Sequence, residues 1–285
     1  MKAIACTPPR QLELPFARLQ VPDIQAEAIR AGIVAEISGS TIWRWLDQDA
    51  LRPWAHRSWI FPRDPEFARK AAVVLDLYAR RFEGRPLGLG EYVLCADEKT
   101  GVQARIRCHP SLAATPGRAV RVEHEYDRAG ALAYLAAYDV HRAKLFGRLE
   151  PTTGIAPFGR LVEQIMSTEP YRSAERVFLV VDNGTSHRGL KATRRLAALY
   201  PNLVLVHLPV HASWLDQIEI YFSIVQRKVL TPSDSLSLDE LGQRILDFQA
   251  RYEESATPFE WKFTRRDLGK LLRRIAAHEQ LPAAA

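Results

Sequence analysis

Three acidic residues stand where an acid is costly unless something positive meets it. Asp97 ends the apolar run Tyr92-Val93-Leu94-Cys95-Ala96, and Asp182 ends Val177-Phe178-Leu179-Val180-Val181. Glu219 lies in Trp214-Leu215-Asp216-Gln217-Ile218-Glu219, inside a helical pattern. Carboxylates on three separate elements can converge at one end of a sheet and hold hard divalent cations through oxygen. Such cations with open coordination positions catalyse phosphoryl transfer. A nuclease or strand-transfer site is the chemistry this set can support.

The elements that must position these acids follow from periodicity. The runs before Asp97 and Asp182 have the length of buried strands. Asp182 then leads into Asn183-Gly184-Thr185-Ser186-His187, and a strand, a Gly turn and a helix is where α/β folds place functional groups. Asp-Asn-Gly also forms ordinary turns, so this segment alone is ambiguous. Around Glu219, Ile218, Tyr221, Phe222, Val225 and Val229 recur at helical spacing and define a core face. Glu219 borders that face with no Lys or Arg within four residues, and Asp216 one turn earlier adds repulsion. A cation shared with distant carboxylates relieves this; two solvated acids stabilised by the helix dipole are the alternative.

The remaining elements read as follows. Residues 1 to about 20 are expected to be irregular, and a short helix starts at Pro22. Ser38-Gly39-Ser40-Thr41 caps a second helix in which Ile42, Trp45 and Leu46 share one face. This pair fits a helix-turn-helix or a plain helical hairpin. Three prolines mark 50–65 as a linker, where Arg52 and Arg57 alternate with Trp54 and Trp59. A helix is expected over 66–82. A strand over 91–97 is expected to pair as a hairpin with 102–107. Strands follow at 132–140 and 144–149, then a helix at 158–167. Next come strand 177–182, helix 190–199 and strand 203–208. Helices are then expected over 213–230, 238–254 and 265–278. Strands clustered early and then alternating with helices give an α/β fold with a mixed sheet.

Composition narrows the class. With 285 residues, 47% hydrophobic and 25% charged, the chain has length and apolar content for a substantial core. Its formal net charge of +6 favours a polyanionic partner. Cys6, Cys95 and Cys108 have neither disulfide nor zinc-pair spacing. No apolar run approaches the ~18 residues of a membrane span, and the first residues lack a signal-peptide core. A cytoplasmic, nucleoid-associated protein with no membrane partner is expected.

Taken together, Leu94-Cys-Ala-Asp97-Glu-Lys-Thr-Gly, Val180-Val-Asp182-Asn-Gly-Thr-Ser-His187 and His211-Ala-Ser-Trp-Leu-Asp-Gln-Ile-Glu219-Ile-Tyr-Phe-Ser resemble the DDE transposases of the bacterial insertion sequence 630 family, in the mariner superfamily. The intervals agree, with 84 residues (98–181) between the first two acids and 36 (183–218) between the last two. The likeness extends through Ser58-Trp-Ile-Phe-Pro-Arg-Asp-Pro, Arg121-Val-Glu-His-Glu-Tyr and Trp261-Lys-Phe-Thr.

The resemblance implies an RNase H-like catalytic domain with mixed sheet and flanking helices over 91–285. A linker and connecting helix would occupy 50–90, and a partial helix-turn-helix region 1–49. Asp97, Asp182 and Glu219 would be the catalytic and metal-binding triad, holding two Mg²⁺ or Mn²⁺ ions, with Asn183 and His187 in support. Partners would be double-stranded DNA, as terminal inverted repeats and target, and a second copy of the chain assembled on that DNA. Ser40, Thr41, Trp43, Arg44, Arg52, Arg57, Arg227 and Lys228 are the expected DNA contacts. Two departures stand out. Asp216 replaces the usual Asn, so it rivals Glu219 as third ligand, and the first of the usual N-terminal helix-turn-helix pair is expected to be lacking. A structure-specific nuclease, or a DNA-binding remnant without catalysis, are the other functions that fit.

Overall fold

Ile4, Leu19, Ile24, Ala28, Ile42 and Leu46 close a small core at the start of the chain. All but Leu19, which precedes α2 in an irregular segment, come from α1 (Lys2–Cys6), α2 (Val21–Arg30) and α3 (Gly39–Gln48), with a 3-10 turn at Pro9–Leu12 after α1. The expectation of an irregular first 20 residues is therefore corrected. Ile4 and Leu19 have a core to join, and that core orders the chain around them. Asp23 Oδ2 accepts the Gln20 N–H at 2.7 Å to start α2, and Ser38 Oγ accepts the Thr41 N–H at 3.2 Å to start α3. Trp45 does not share the buried face of Ile42 and Leu46; it is 39% exposed, and its neighbour Trp43 is 51% exposed. A narrow stripe one residue wide per turn is all this small core can cover.

The computed structural model describes residues 1–56 and 62–279. It divides into two compact units, Met1–Phe61 and Pro62–Ala285. Arg57 and the Ser58–Phe61 part of the linker lie outside the described residues.

The second unit opens with α4 (Phe67–Tyr78), shorter than the expected helix over 66–82. Arg80 and Glu83 adopt positive φ, as does Gly84, and the chain turns back through the small hairpin β1 (Arg81–Phe82) and β2 (Arg85–Pro86). The main sheet is built from β3 (Glu91–Ile106), β4 (Asp127–Asp139), β5 (Leu145–Glu150), β6 (Arg176–Val181) and β7 (Leu203–His207), in the order β5-β4-β3-β6-β7. β4 runs antiparallel to both β3 and β5, while β6 and β7 run parallel to β3. The sheet is mixed, as expected. β3, however, does not fold back on itself. It continues past Asp97 to Ile106 with β4 alongside throughout. Gly101 at φ +66° sits in the register shift between Lys99 and Val102, so the strand absorbs a bulge instead of reversing.

Both faces of the sheet are covered. Val93, Cys95, Phe178 and Val180 point to one face. There they meet α4, α7 (Ile218–Lys228), α8 (Leu238–Glu253) and α9 (Arg265–Glu279). Leu94, Ala96, Leu179 and Val181 point to the other, against α5 (Ile155–Met166) and α6 (Gly189–Leu199). Central strands buried on both faces explain why these segments read as unbroken apolar runs. No described helix is long and apolar enough to cross a membrane.

Candidate active site

The parallel pairing of β3 with β6 ends at Ala96 opposite Val181. The next residue on each strand is an aspartate, Asp97 and Asp182. Alternation along a strand places both on the face that carries Cys95 and Val180, the face covered by α7. Two acids from distant parts of the sequence are thus set side by side by strand register. Asp97 remains paired with β4, opposite Ala136, so it is braced within a strand and does not end one. Asp182 lies just beyond its strand and is held instead by a side chain and a backbone N–H.

That support is specific. His187 Nε2 donates to Asp182 Oδ1 at 2.6 Å, and the Gly184 N–H donates to the same oxygen at 2.7 Å. His187 Nδ1 meets Ser186 Oγ at 2.9 Å, and the ring packs on Phe158 with centroids 4.6 Å apart. Its carbonyl accepts His207 Nε2 at 2.9 Å. Asn183 turns away from the acids, donating Nδ2 to the Leu208 carbonyl at 2.8 Å and pinning the turn to the end of β7. Gly184 is required by space: a Cβ there would lie 2.9 Å from Asp182 Oδ1 and 3.0 Å from the His187 ring.

Glu98 is a member of the group that the sequence analysis did not assign. Ligand oxygens of Asp97, Glu98 and Asp182 lie within 4.8 Å of one another. Ser186 Oγ also donates to Glu98 Oε1 at 3.3 Å. Its position beside Asp97 was visible, but strict alternation places it on the opposite face. Its signal was adjacency alone.

The helix expected over 213–230 is broken. A 3-10 turn at Ser213–Leu215 precedes α7, which puts Glu219 in the first helical turn. Asp216 Oδ1 accepts the Ile218 N–H at 3.1 Å, which starts α7 at that point. Asp216 is 1% exposed and its Oδ2 has no hydrogen-bond partner among the described residues, whereas Glu219 is exposed. Tyr78 braces this junction, its hydroxyl donating to the Leu215 carbonyl at 2.7 Å beside Cys95 Sγ at 3.0 Å.

Electrostatics separate the acids. Burial, followed by the negative charges of Asp182, Glu98 and Glu219, pushes Asp97 up to about 7. Burial likewise raises Glu98, and it raises Asp216 far above the usual carboxylate range, with Asp97 adding to the effect. The hydrogen bond from His187 holds Asp182 below its ordinary value. Apart from that bond, no described Lys, Arg or His pairs with Asp97, Glu98, Asp216 or Glu219. An all-oxygen group of crowded, partly buried carboxylates without a counter-charge suits a hard divalent cation.

The expected DNA contacts are scattered. Ser40, Trp43 and Arg44 are exposed on α3, while Thr41 is half-buried and uses its hydroxyl at 2.8 Å from Ser38 Oγ. Arg52 is exposed after α3. In the second unit Arg227 and Lys228 are exposed in the last turn of α7, with Arg227 bonded to Ser223 Oγ.

Residues 92–241 match the family model described as DDE superfamily endonuclease. No curated protein matches the chain. Among solved structures, the Mos1 transposase paired-end complex with left transposon end is 14% identical with a TM-score of 0.56, covering 93% of this chain and 80% of that one. The Mos1 mariner paired-end complex with Mn is 14% identical at a TM-score of 0.53, covering 92% and 78%. The Mos1 strand transfer complex is 12% identical at 0.54, covering 100% and 79%. At such identities the likeness establishes a shared architecture, the RNase H-like α/β sheet flanked by helices.

Proposed function

Because this chain belongs to the DDE superfamily of endonucleases, we propose that it is a mariner-like transposase related to the insertion sequence 630 group, cutting double-stranded DNA at the ends of its element and joining them to a target. The observation that carries the reading is the pair Asp97 and Asp182 just beyond the last parallel β3–β6 pair, with Glu98 in the same group and no described Lys or Arg paired with any of the three. The similar Mos1 structures include complexes with Mn and with Mg, which supports Mg²⁺ or Mn²⁺ as the cofactor; two ions is our proposal, from the two-metal pattern of phosphoryl-transfer sites. When bound, the ions would polarise the phosphodiester and lower the pKa of the attacking hydroxyl or water.

Each residue has a part in this proposal. Asp97 is held rigidly by β4 and supplies a fixed carboxylate. Asp182 is aimed by His187 and the Gly184 N–H. Support of a ligand carboxylate by such partners fixes its orientation. Asn183 anchors the turn that carries them. Glu219 is the third ligand, since it is exposed at the start of α7 and its charge reaches Asp97. Asp216 is enclosed and committed to the Ile218 N–H, which argues for a structural part in starting α7.

On the same reading, Ser40, Thr41, Trp43, Arg44, Arg52 and Arg57 belong to a DNA-binding segment, and Arg227 and Lys228 contact phosphates near the catalytic domain. A homodimer assembled on DNA, in the cytoplasm and on the nucleoid, completes the proposal; the paired-end complexes of Mos1 support the DNA partner. The test is Mg²⁺-dependent cleavage of a plasmid carrying the inverted repeats that flank the coding sequence. Wild type and Asp216→Asn should cut, while Glu219→Gln should lose about 10²- to 10³-fold of activity, the scale of removing one transition-state stabilising group. Full activity in Glu219→Gln would overturn the assignment. Pre-cut ends supplied with target DNA separate a transposase, which joins them, from a nuclease, which does not.

A further inference from the structure

A second polar site lies further along the same face. The bulge of β3 and the C-terminal half of α7 enclose a cavity of about 60 Å³ lined by Lys99, Gly101, Gln103, Arg105, Gln226 and Ser233, among others. That is room for roughly four or five water-sized groups. Its lining carries two cations, two amides and two hydroxyls, those of Thr100 and Ser233, and no carboxylate. Arg107, close by, is paired with Asp234, whereas neither Lys99 nor Arg105 has a carboxylate partner among the described residues. The Arg105 guanidinium is stacked over Tyr126 at 4.7 Å from the ring centroid, which limits its motion.

Ser233 is the unexpected member. It is 3% exposed, yet its Oγ has no hydrogen-bond partner among the described residues. A buried hydroxyl left unpaired is costly, so a missing acceptor is the natural explanation. The loop that carries it is firmly fixed. Asp234 accepts Arg107 Nε at 2.5 Å and Ser111 Oγ at 2.5 Å. The Asp234 carbonyl accepts Arg244 Nη2 at 2.8 Å, and the Ser235 N–H donates to the Arg105 carbonyl at 3.3 Å. The site is therefore built before any ligand arrives.

We propose that this cavity binds one backbone phosphate of the DNA being processed, with Lys99 and Arg105 supplying charge and Ser233 Oγ a hydrogen bond to a phosphate oxygen. The inference rests on the DNA-cleaving function proposed above. Lys99 is two residues beyond Asp97 on the same strand, about 7 Å along it. Gln226 is seven residues beyond Glu219, about 10 Å along α7. At about 3.4 Å of rise per nucleotide of one strand, the cavity meets a phosphate roughly two or three nucleotides from the one at the carboxylates. It would fix where along the strand the cut falls.

The test measures anisotropy of a fluorescein-labelled duplex bearing the element end, in EDTA, across a range of NaCl. Lys99→Gln should bind more weakly and lower the slope of log K against log salt by about 0.9, the value for one phosphate contact. Ser233→Ala should weaken binding roughly tenfold, yet keep or raise the thermal midpoint, because it removes an unpaired buried hydroxyl. A merely structural serine would show the opposite pattern. A scan of single methylphosphonate substitutions should find one position at which wild type loses affinity and Lys99→Gln does not. Inorganic phosphate raising the midpoint of wild type at concentrations that leave the duplex bound would instead assign the cavity to a free anion and overturn the proposal. So would an unchanged salt slope in Lys99→Gln. If wild type cleaves its ends and only these effects are missing, the cavity assignment fails alone; if wild type binds no duplex, both readings fail.

Discussion

Asp97 and Asp182 are neighbours with opposite acid–base character. One is pushed up to about 7 by burial and like charge, the other drawn down by the His187 hydrogen bond. Neighbouring carboxylates pushed apart in this way mark a site built for a task. The support for Asp182 depends on Gly184, where a Cβ would collide with both partners of the clamp. Gly184→Ala should therefore keep the fold, by circular dichroism, and lose about 10- to 100-fold in metal-dependent cleavage, the usual effect of disturbing an outer-shell partner. His187→Ala should fall in the same range. At this scale the sequence was legible where an acid ended an apolar run, as at Asp97 and Asp182. It was silent on Glu98, because alternation assigns that side chain to the other face. It named Asp216 as a rival ligand but not its burial, which depends on a helix break that the continuous periodicity of 213–230 concealed.

Elements hold the site through few but well-buried polar links. Glu91 opens β3 and is almost fully buried. It accepts two hydrogen bonds from Arg85 at 2.8 Å and one from the Gly88 N–H. The Arg85 guanidinium holds its carboxyl down at about 2, against an ordinary 4.5. A depressed carboxyl stabilises the fold above about 4.5, and that stability is lost as pH falls toward 2. Glu91→Gln should cost on the order of 1–2 kcal/mol at neutral pH, discounted because Arg85 is half-exposed, and should flatten the acid limb of a stability–pH curve. Tyr78→Phe should cost about 1 kcal/mol by leaving the Leu215 carbonyl without its donor, read as a lower denaturant midpoint. The strands and later helices were legible because each buries a face with its own period. The bulge in β3 was not, since Thr100-Gly101 reads equally as a hairpin turn until β4 is seen beside it.

At the scale of the whole molecule, a chain of net positive charge carries a cluster of acids in its second unit. The net charge of +6 favours polyanion binding, while the clustered carboxylates repel the same polyanion unless cations are present. Metal and substrate should therefore bind cooperatively. Mg²⁺ should raise the thermal midpoint of wild type as any ligand of the folded state does. Asp97→Asn should start at a higher midpoint in EDTA, having lost the repulsion, and gain little or nothing from Mg²⁺. An equal Mg²⁺ response in both proteins would show that the ion binds elsewhere. The boundary between the two units after residue 61 falls inside the segment 50–65 that its prolines mark as a linker, although composition does not place it within that segment.

The meeting of Asp97 and Asp182 depends on a count: β3 and β6 both reach their aspartate one step after their shared ladder ends. Hydrogen bonds in a parallel ladder do not distinguish one register from the next, but side chains exchange faces at every step. A single-codon insertion or deletion in β6 ahead of Asp182 that preserved the ladder would leave a stable sheet whose two acids point to opposite sides. Such a chain would still carry every basic residue proposed to contact DNA and all three proposed ligand acids. If the proposed function holds, such a chain co-expressed with the intact protein should compete for ends without cutting them, read as reduced cleavage by the intact protein.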